Sequence, residues 1–149
     1  MMGRFGLALA ALCLSHPARA DFIETEWLVT GFSGEAWFID PAAVMGESQY
    51  FEGGFAEGVF YSCDFAGQSM VYTPWPVKAF LANPEFADFA RLTDPRLAAA
   101  DEIFVHRFTC EGSGDPALRR TLYPFVTTNR RDVAFYPFEG GIFTLEPVK

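Results

Sequence analysis

His106 is where acid–base chemistry near neutral pH would have to start, because an ordinary imidazole titrates in that range. A hydrolase would pair it with a serine or cysteine and an orienting acid. Ser62, Ser69 and Asp64 surround Cys63, but no glycines frame a nucleophile elbow there. His106 also alternates with Phe104 and Phe108, the setting of a hydrogen-bonded core or rim histidine rather than a catalytic base. Glu24 and Glu26 stand about 7 Å apart on a strand and would serve glycoside chemistry only with a second acid across a cleft. A solvated strand face is the simpler reading. Gly53-Gly54 and Gly112-Ser113-Gly114 lack the lysine and helix of a phosphate loop and read as turns. No catalytic residue is assigned on these grounds.

Aromatic side chains are the other resource: Trp27, Trp37, Trp75, 17 Phe and five Tyr. A large aromatic core accounts for most of them. The remainder predict a binding region at an open barrel mouth or an exposed cluster formed by Tyr72, Trp75 and Phe80, with His106 as a further candidate.

The elements that position these residues follow an apparent leader. Residues 1–4 carry one positive charge, residues 5–14 are apolar or small, and Ala18-Arg19-Ala20 has small residues at the two positions a signal peptidase reads. Ten apolar residues rise only about 15 Å as a helix, half of a bilayer core, so cleavage after Ala20 is expected rather than anchoring. Cys13 follows Leu12 rather than a small residue, which argues against lipid attachment. The expected product is a single β-rich domain, residues 21–149, periplasmic or secreted by a bacterium, with no transmembrane segment.

Two cysteines then remain, Cys63 and Cys110, and an oxidising compartment predicts a disulfide between them. In the chain-entropy account, closing so long a loop stabilises the fold by about 4 kcal/mol. Two cysteines and one histidine make a short ligand list, so neither metal nor cofactor is expected.

Loss of Arg4 and Arg19 takes the bases from 11 to 9 while all 19 acids stay, moving the net charge from −8 to −10. Nucleic acid is excluded as a partner by that sign. Nine acids lie between residues 21 and 64 without a single base, and every remaining base lies from Lys78 onward. Either the acidic half meets the arginines across the fold, or it forms a surface for a cationic partner.

Alternation predicts strands at 23–29, ended by Gly31, and at 48–51, with a further apolar run at 36–39. Alternation at 59–65 and the reversal at Gly67 predict a hairpin with 68–73. Pro74 and Pro76 predict a boundary that interrupts pairing. Asn83-Pro84-Glu85 and Asp94-Pro95 predict short helices, the first with Phe86, Phe89 and Ala90 on one face. Strands are predicted again at 103–110, 122–126, 133–138 and 142–145, with a loop at 111–116 and a last hairpin at Gly140-Gly141. The fold class is mainly β: a small antiparallel β-barrel or sandwich with a short helical insertion at about 77–100, closure being preferred because exposed edges are hazardous.

Trp27-Leu28-Val29 in an early strand, Ser62-Cys63-Asp64 and the strand end Phe108-Thr109-Cys110 resemble small exported β domains of the META/HslJ type. Those domains have Gly-Cys-Asn where this chain has Ser62-Cys63-Asp64, and residues 74–101 would be an insertion. The resemblance implies a compact envelope domain with no defined enzyme chemistry. The expected function is therefore non-catalytic binding of an envelope protein or a small apolar ligand; the alternative is a small secreted hydrolase using carboxylates or His106.

Overall fold

The computed structural model describes residues 23–37, 39–64, 71–107, 124–138 and 140–149, without the side chains of 63, 64 and 71. The leader, the Cys63–Cys110 pairing and the 111–116 loop lie outside the described residues.

Among the described residues nine strands form one antiparallel sheet: β1 (Glu26–Gly34), β2 (Ser48–Glu52), β3 (Phe55–Gly58), β4 (Cys63–Asp64), β5 (Val71–Pro76), β6 (Glu102–Arg107), β7 (Phe125–Thr128), β8 (Ala134–Phe138) and β9 (Gly141–Pro147). Their order is β4-β3-β2-β1-β9-β8-β7-β6-β5. Every neighbour is consecutive in sequence except β1 and β9, whose pairing joins the two ends of the sheet-forming chain.

This topology forces curvature. Laid flat, nine strands would hold β4 and β5 about 38 Å apart. The chain between Asp64 and Val71 reaches only about 25 Å at full extension, so the sheet curls into a half-barrel. The rings confirm it: Phe51 on β2 and Phe125 on β7 have centroids 5.0 Å apart although three strands separate them in the sheet. Trp27 meets the same Phe125 edge-on at 5.8 Å.

Alternation along each strand fills two cores. The concave face carries Trp27, Val29, Phe51, Phe125, Tyr136, Phe143 and Leu145. The opposite face carries Ile103, Val105, Val126, Phe135 and Ile142, covered by the insertion through Phe80, Phe86, Phe89 and Leu97. The insertion consists of α1 (Val77–Ala82), a 3-10 helix (Pro84–Arg91) and α2 (Pro95–Ala98). Phe80 stacks on Phe86 at 4.5 Å, and Phe89 meets Phe135 edge-on at 6.1 Å. Each buried phenyl contributes about 2–3 kcal/mol. The cover extends over β5 to β9 and through residues 92–96 comes beside the Thr30–Ser33 end of β1, while the outward residues of β2 and β3, Tyr50, Glu52, Phe55 and Glu57, are exposed.

Both helix caps form as expected: Asn83 Oδ1 accepts from Glu85 N, and Asp94 Oδ1 accepts from Arg96 N at 2.8 Å. Asp94 also holds the Arg96 guanidinium, whose other arm reaches Glu146 on β9 at 2.7 Å. The hydrogen bond from Arg96, more than its charge, keeps the Asp94 carboxyl below the ordinary range against the opposing effect of burial. Asp94→Ala removes cap and clamp together and is expected to lower stability by about 1–2 kcal/mol, read as a lower denaturant midpoint at unchanged slope.

Several expectations are corrected. Pro74 and Pro76 do not interrupt pairing: β5 runs in continuous register with β6 through Pro74↔Phe104 and Pro76↔Glu102. An edge strand tolerates proline because one side of its backbone has no ladder to supply. Among the described residues β4 pairs with β3 and β5 with β6, and the Gly67 reversal expected to join 59–65 to 68–73 lies outside them. Gly31 does not end β1; a register shift between Val29 and Gly31 absorbs one residue and the strand continues to Gly34. The described residues of the 36–39 run lie outside strands. Ala90 is exposed, because the helix is 3-10 and buries positions three apart, Phe86 and Phe89.

Candidate binding surface

The four residues expected to bind a ligand fall on two faces. Tyr72 and His106 are directly opposed in the β5–β6 ladder and share the concave side. Trp75 and Phe80 belong to the opposite core, where Trp75 contacts Phe86 at 6.1 Å and Phe80 is fully buried. No single cluster of Tyr72, Trp75 and Phe80 exists.

His106 is fully buried, and its Nε2 lies 2.8 Å from Thr127 Oγ1. Desolvation pushes its pKa down to about 3. An imidazole sealed from solvent and neutral down to such acidity cannot take a proton from a substrate near neutral pH. Among the described residues no group of three His, Cys, Asp or Glu is placed to hold a metal ion, and no helix is long and apolar enough to cross a membrane.

The outer face of β2 and β3, with the Glu26 end of β1, has a more coherent chemistry. Strand register sets Glu26, Tyr50 and Glu57 in one row and Glu52 beside Phe55 in the next. Their sequence neighbours Trp27, Gln49, Phe51 and Ala56 point into the core. Directly opposed side chains lie about 5 Å apart, so the two aromatics sit within a field of carboxylates. Phe55 is 55% exposed and Tyr50 39%. Glu26 accepts a hydrogen bond from Ser48 at 2.6 Å, and the Tyr50 hydroxyl donates to Glu52. That bond, slight desolvation and the charges of Glu52, Glu26 and Glu24 hold the Tyr50 phenol above its ordinary pKa.

Ion pairing separates the two readings for the seven acids of this half whose side chains are described. Ion pairs among the described residues join Arg91 to Asp88, Arg96 to Asp94 and Glu146, and Arg107 to Glu85. None of Glu24, Glu26, Glu35, Asp40, Glu47, Glu52 or Glu57 meets a base among the described residues. These seven carboxylates thus keep their charge without a basic partner among the described residues.

Tyr50, Glu52, Phe55 and Glu57 were not singled out by sequence reasoning. The signal was present as period-two alternation across the Gly53-Gly54 turn, with Gln49, Phe51 and Ala56 on the other face. Both turn glycines have positive φ, 54° and 95°, which continues one strand into the next without a longer loop. No protein-family model, no curated protein and no solved structure matches the chain.

Proposed function

We propose that this chain is an exported, non-catalytic binding domain whose outer β1–β3 face docks a cationic protein partner. The observation that carries the reading is the row of unneutralised carboxylates around exposed Tyr50 and Phe55. Uncovered aromatics supply a desolvated centre, and surrounding acids supply steering and register for lysine and arginine. A hydrolase reading loses its best base, because His106 is buried and neutral.

The test is capture from an envelope extract of the source cell, comparing the wild type with Glu26→Lys/Glu57→Lys and with Phe55→Ala. A basic protein held by the wild type should be released at about 0.5 M salt, where screening is short-ranged. Charge reversal should slow its association at least about tenfold while leaving the melting temperature nearly unchanged, and Phe55→Ala should speed its release. Retention indifferent to salt and to all three substitutions would remove this face as the docking surface.

A further inference from the structure

A pocket of about 350 Å³ opens between the 3-10 helix and the β8–β9 hairpin. It shares no residue with the β1–β3 face, and nothing about it depends on the docking reading. Its volume is at the small end of the range for ligand sites. Phe86 and Phe89 come from the helix, Pro137 and Phe138 from the end of β8, and Pro124 from the approach to β7. Among the described residues, Glu85 and Asp88 are the charged residues that line it, and no base does.

The local sequence produces this arrangement through a period of three. Phe86 and Phe89 repeat at i, i+3 and are drawn into the core, where each is 2% exposed. Glu85 and Asp88 repeat at the same spacing, one residue earlier, so both emerge on the neighbouring ridge and remain exposed. Both are already tied to bases at the surface. Arg91 stands 3.7 Å from Asp88 with both side chains largely in solvent, and Arg107 engages Glu85 through Oε1 in a similarly exposed pair. Such pairs contribute little and exchange readily for another cation.

We infer that this pocket binds a small amphiphilic amine, with its apolar body against Pro124, Pro137 and Phe138 and its ammonium toward Glu85 and Asp88. An anion of the same shape would meet two carboxylates and, among the described residues, no lining base. A neutral analogue would fill the apolar part and forgo charge-assisted hydrogen bonds, the stronger class. Aromatic walls add cation–π attraction for an ammonium but not for an alcohol.

The test uses three probes of one shape on the purified protein: phenethylammonium, 2-phenylethanol and phenylacetate, titrated while backbone amide shifts are followed. Phenethylammonium should saturate with a Kd of about 1 mM or tighter. Its shifts should concentrate at residues 85–89 and 137–141. The alcohol should bind about tenfold more weakly, and phenylacetate should show no saturation. Glu85→Gln/Asp88→Asn alters only exposed side chains and should erase the preference for the amine while leaving the amide spectrum folded. Equal binding of amine and alcohol, an unchanged preference in the double variant, or shifts centred on Tyr50 and Phe55 would each overturn the assignment. So would the absence of any saturable binding.

Discussion

Acidification from about pH 7 to about pH 4 is expected to remove about 3 kcal/mol of stability through His106 alone. In the unfolded chain the imidazole takes a proton near pH 6.5, while in the fold burial lowers that value to about 3. Between those two values the unfolded state binds one more proton than the native state, so stability falls as pH falls, by about 1.4 kcal/mol per unit. The contribution is intact above about pH 6.5 and fully lost near pH 3. Other carboxylates titrate in the same window, and a difference measurement isolates the histidine. His106→Gln keeps an amide able to reach the Thr127 hydroxyl and does not titrate. Its melting temperature relative to wild type should therefore rise by roughly 10 °C on going from neutral to acid pH. Parallel pH profiles for the two proteins would show that His106 does not carry the effect.

The same residue shows what sequence could and could not deliver. Alternation of Phe104 and His106 against Ile103 and Val105 was enough to place His106 on a strand with apolar surroundings. Its depth was not legible, because burial to zero exposure depends on Tyr72 and Phe125, which arrive from β5 and β7. Elements whose signals are local came through: the Asn83 and Asp94 caps, the strands at 48–51 and 142–145, and the Gly140-Gly141 turn. Pro74 and Pro76 misled because the rule against proline in a sheet holds for strands paired on both sides, and edge position is a property of the topology.

The candidate surfaces were hidden for a different physical reason. An exposed face is defined by what fails to cover it, and the reach of the helical insertion over β5 to β9 follows from tertiary packing of Phe80, Phe86 and Phe89. Counting charges found the acidic half, since nine acids without a base is a linear fact. Showing that the described acids stay clear of Arg96 and Arg107 required knowing that these close on Asp94, Glu146 and Glu85 instead. The pocket was likewise invisible, because its two walls are about 40–50 positions apart in the chain.

The 48–51 alternation marks Gln49 only as part of a short strand, yet its replacement is expected to cost as much as truncating a buried aromatic. The side chain is fully buried, with Oε1 accepting from Phe60 N at 3.0 Å and Tyr61 N at 2.8 Å. Its Nε2 lies within donating distance of the carbonyls of Glu57 at 3.1 Å, Tyr61 at 3.2 Å and Tyr50 at 3.3 Å. One amide thus does for residues 60–61 what a neighbouring strand would do, and fixes the turn that carries the chain from β3 to β4. Gly58 makes the approach possible: a Cβ there would stand 2.2 Å from the Ser48 carbonyl oxygen. Gln49→Leu preserves bulk but strands two amide protons and at least one carbonyl, at about 1–3 kcal/mol for each buried group, so a loss of about 3–5 kcal/mol is expected in denaturant unfolding. Gln49→Glu separates hydrogen bonding from packing. Its carboxylate can still accept from Phe60 and Tyr61 but repels the Glu57 and Tyr61 carbonyls, and burial raises its pKa above the unfolded value near 4.3. The protonated acid regains a donor, so this variant should recover stability as pH falls through that raised pKa, opposite in sign to the His106 effect. A Glu variant that only weakens further on acidification, relative to wild type, would show that the Gln49 amide donor contributes nothing at this turn.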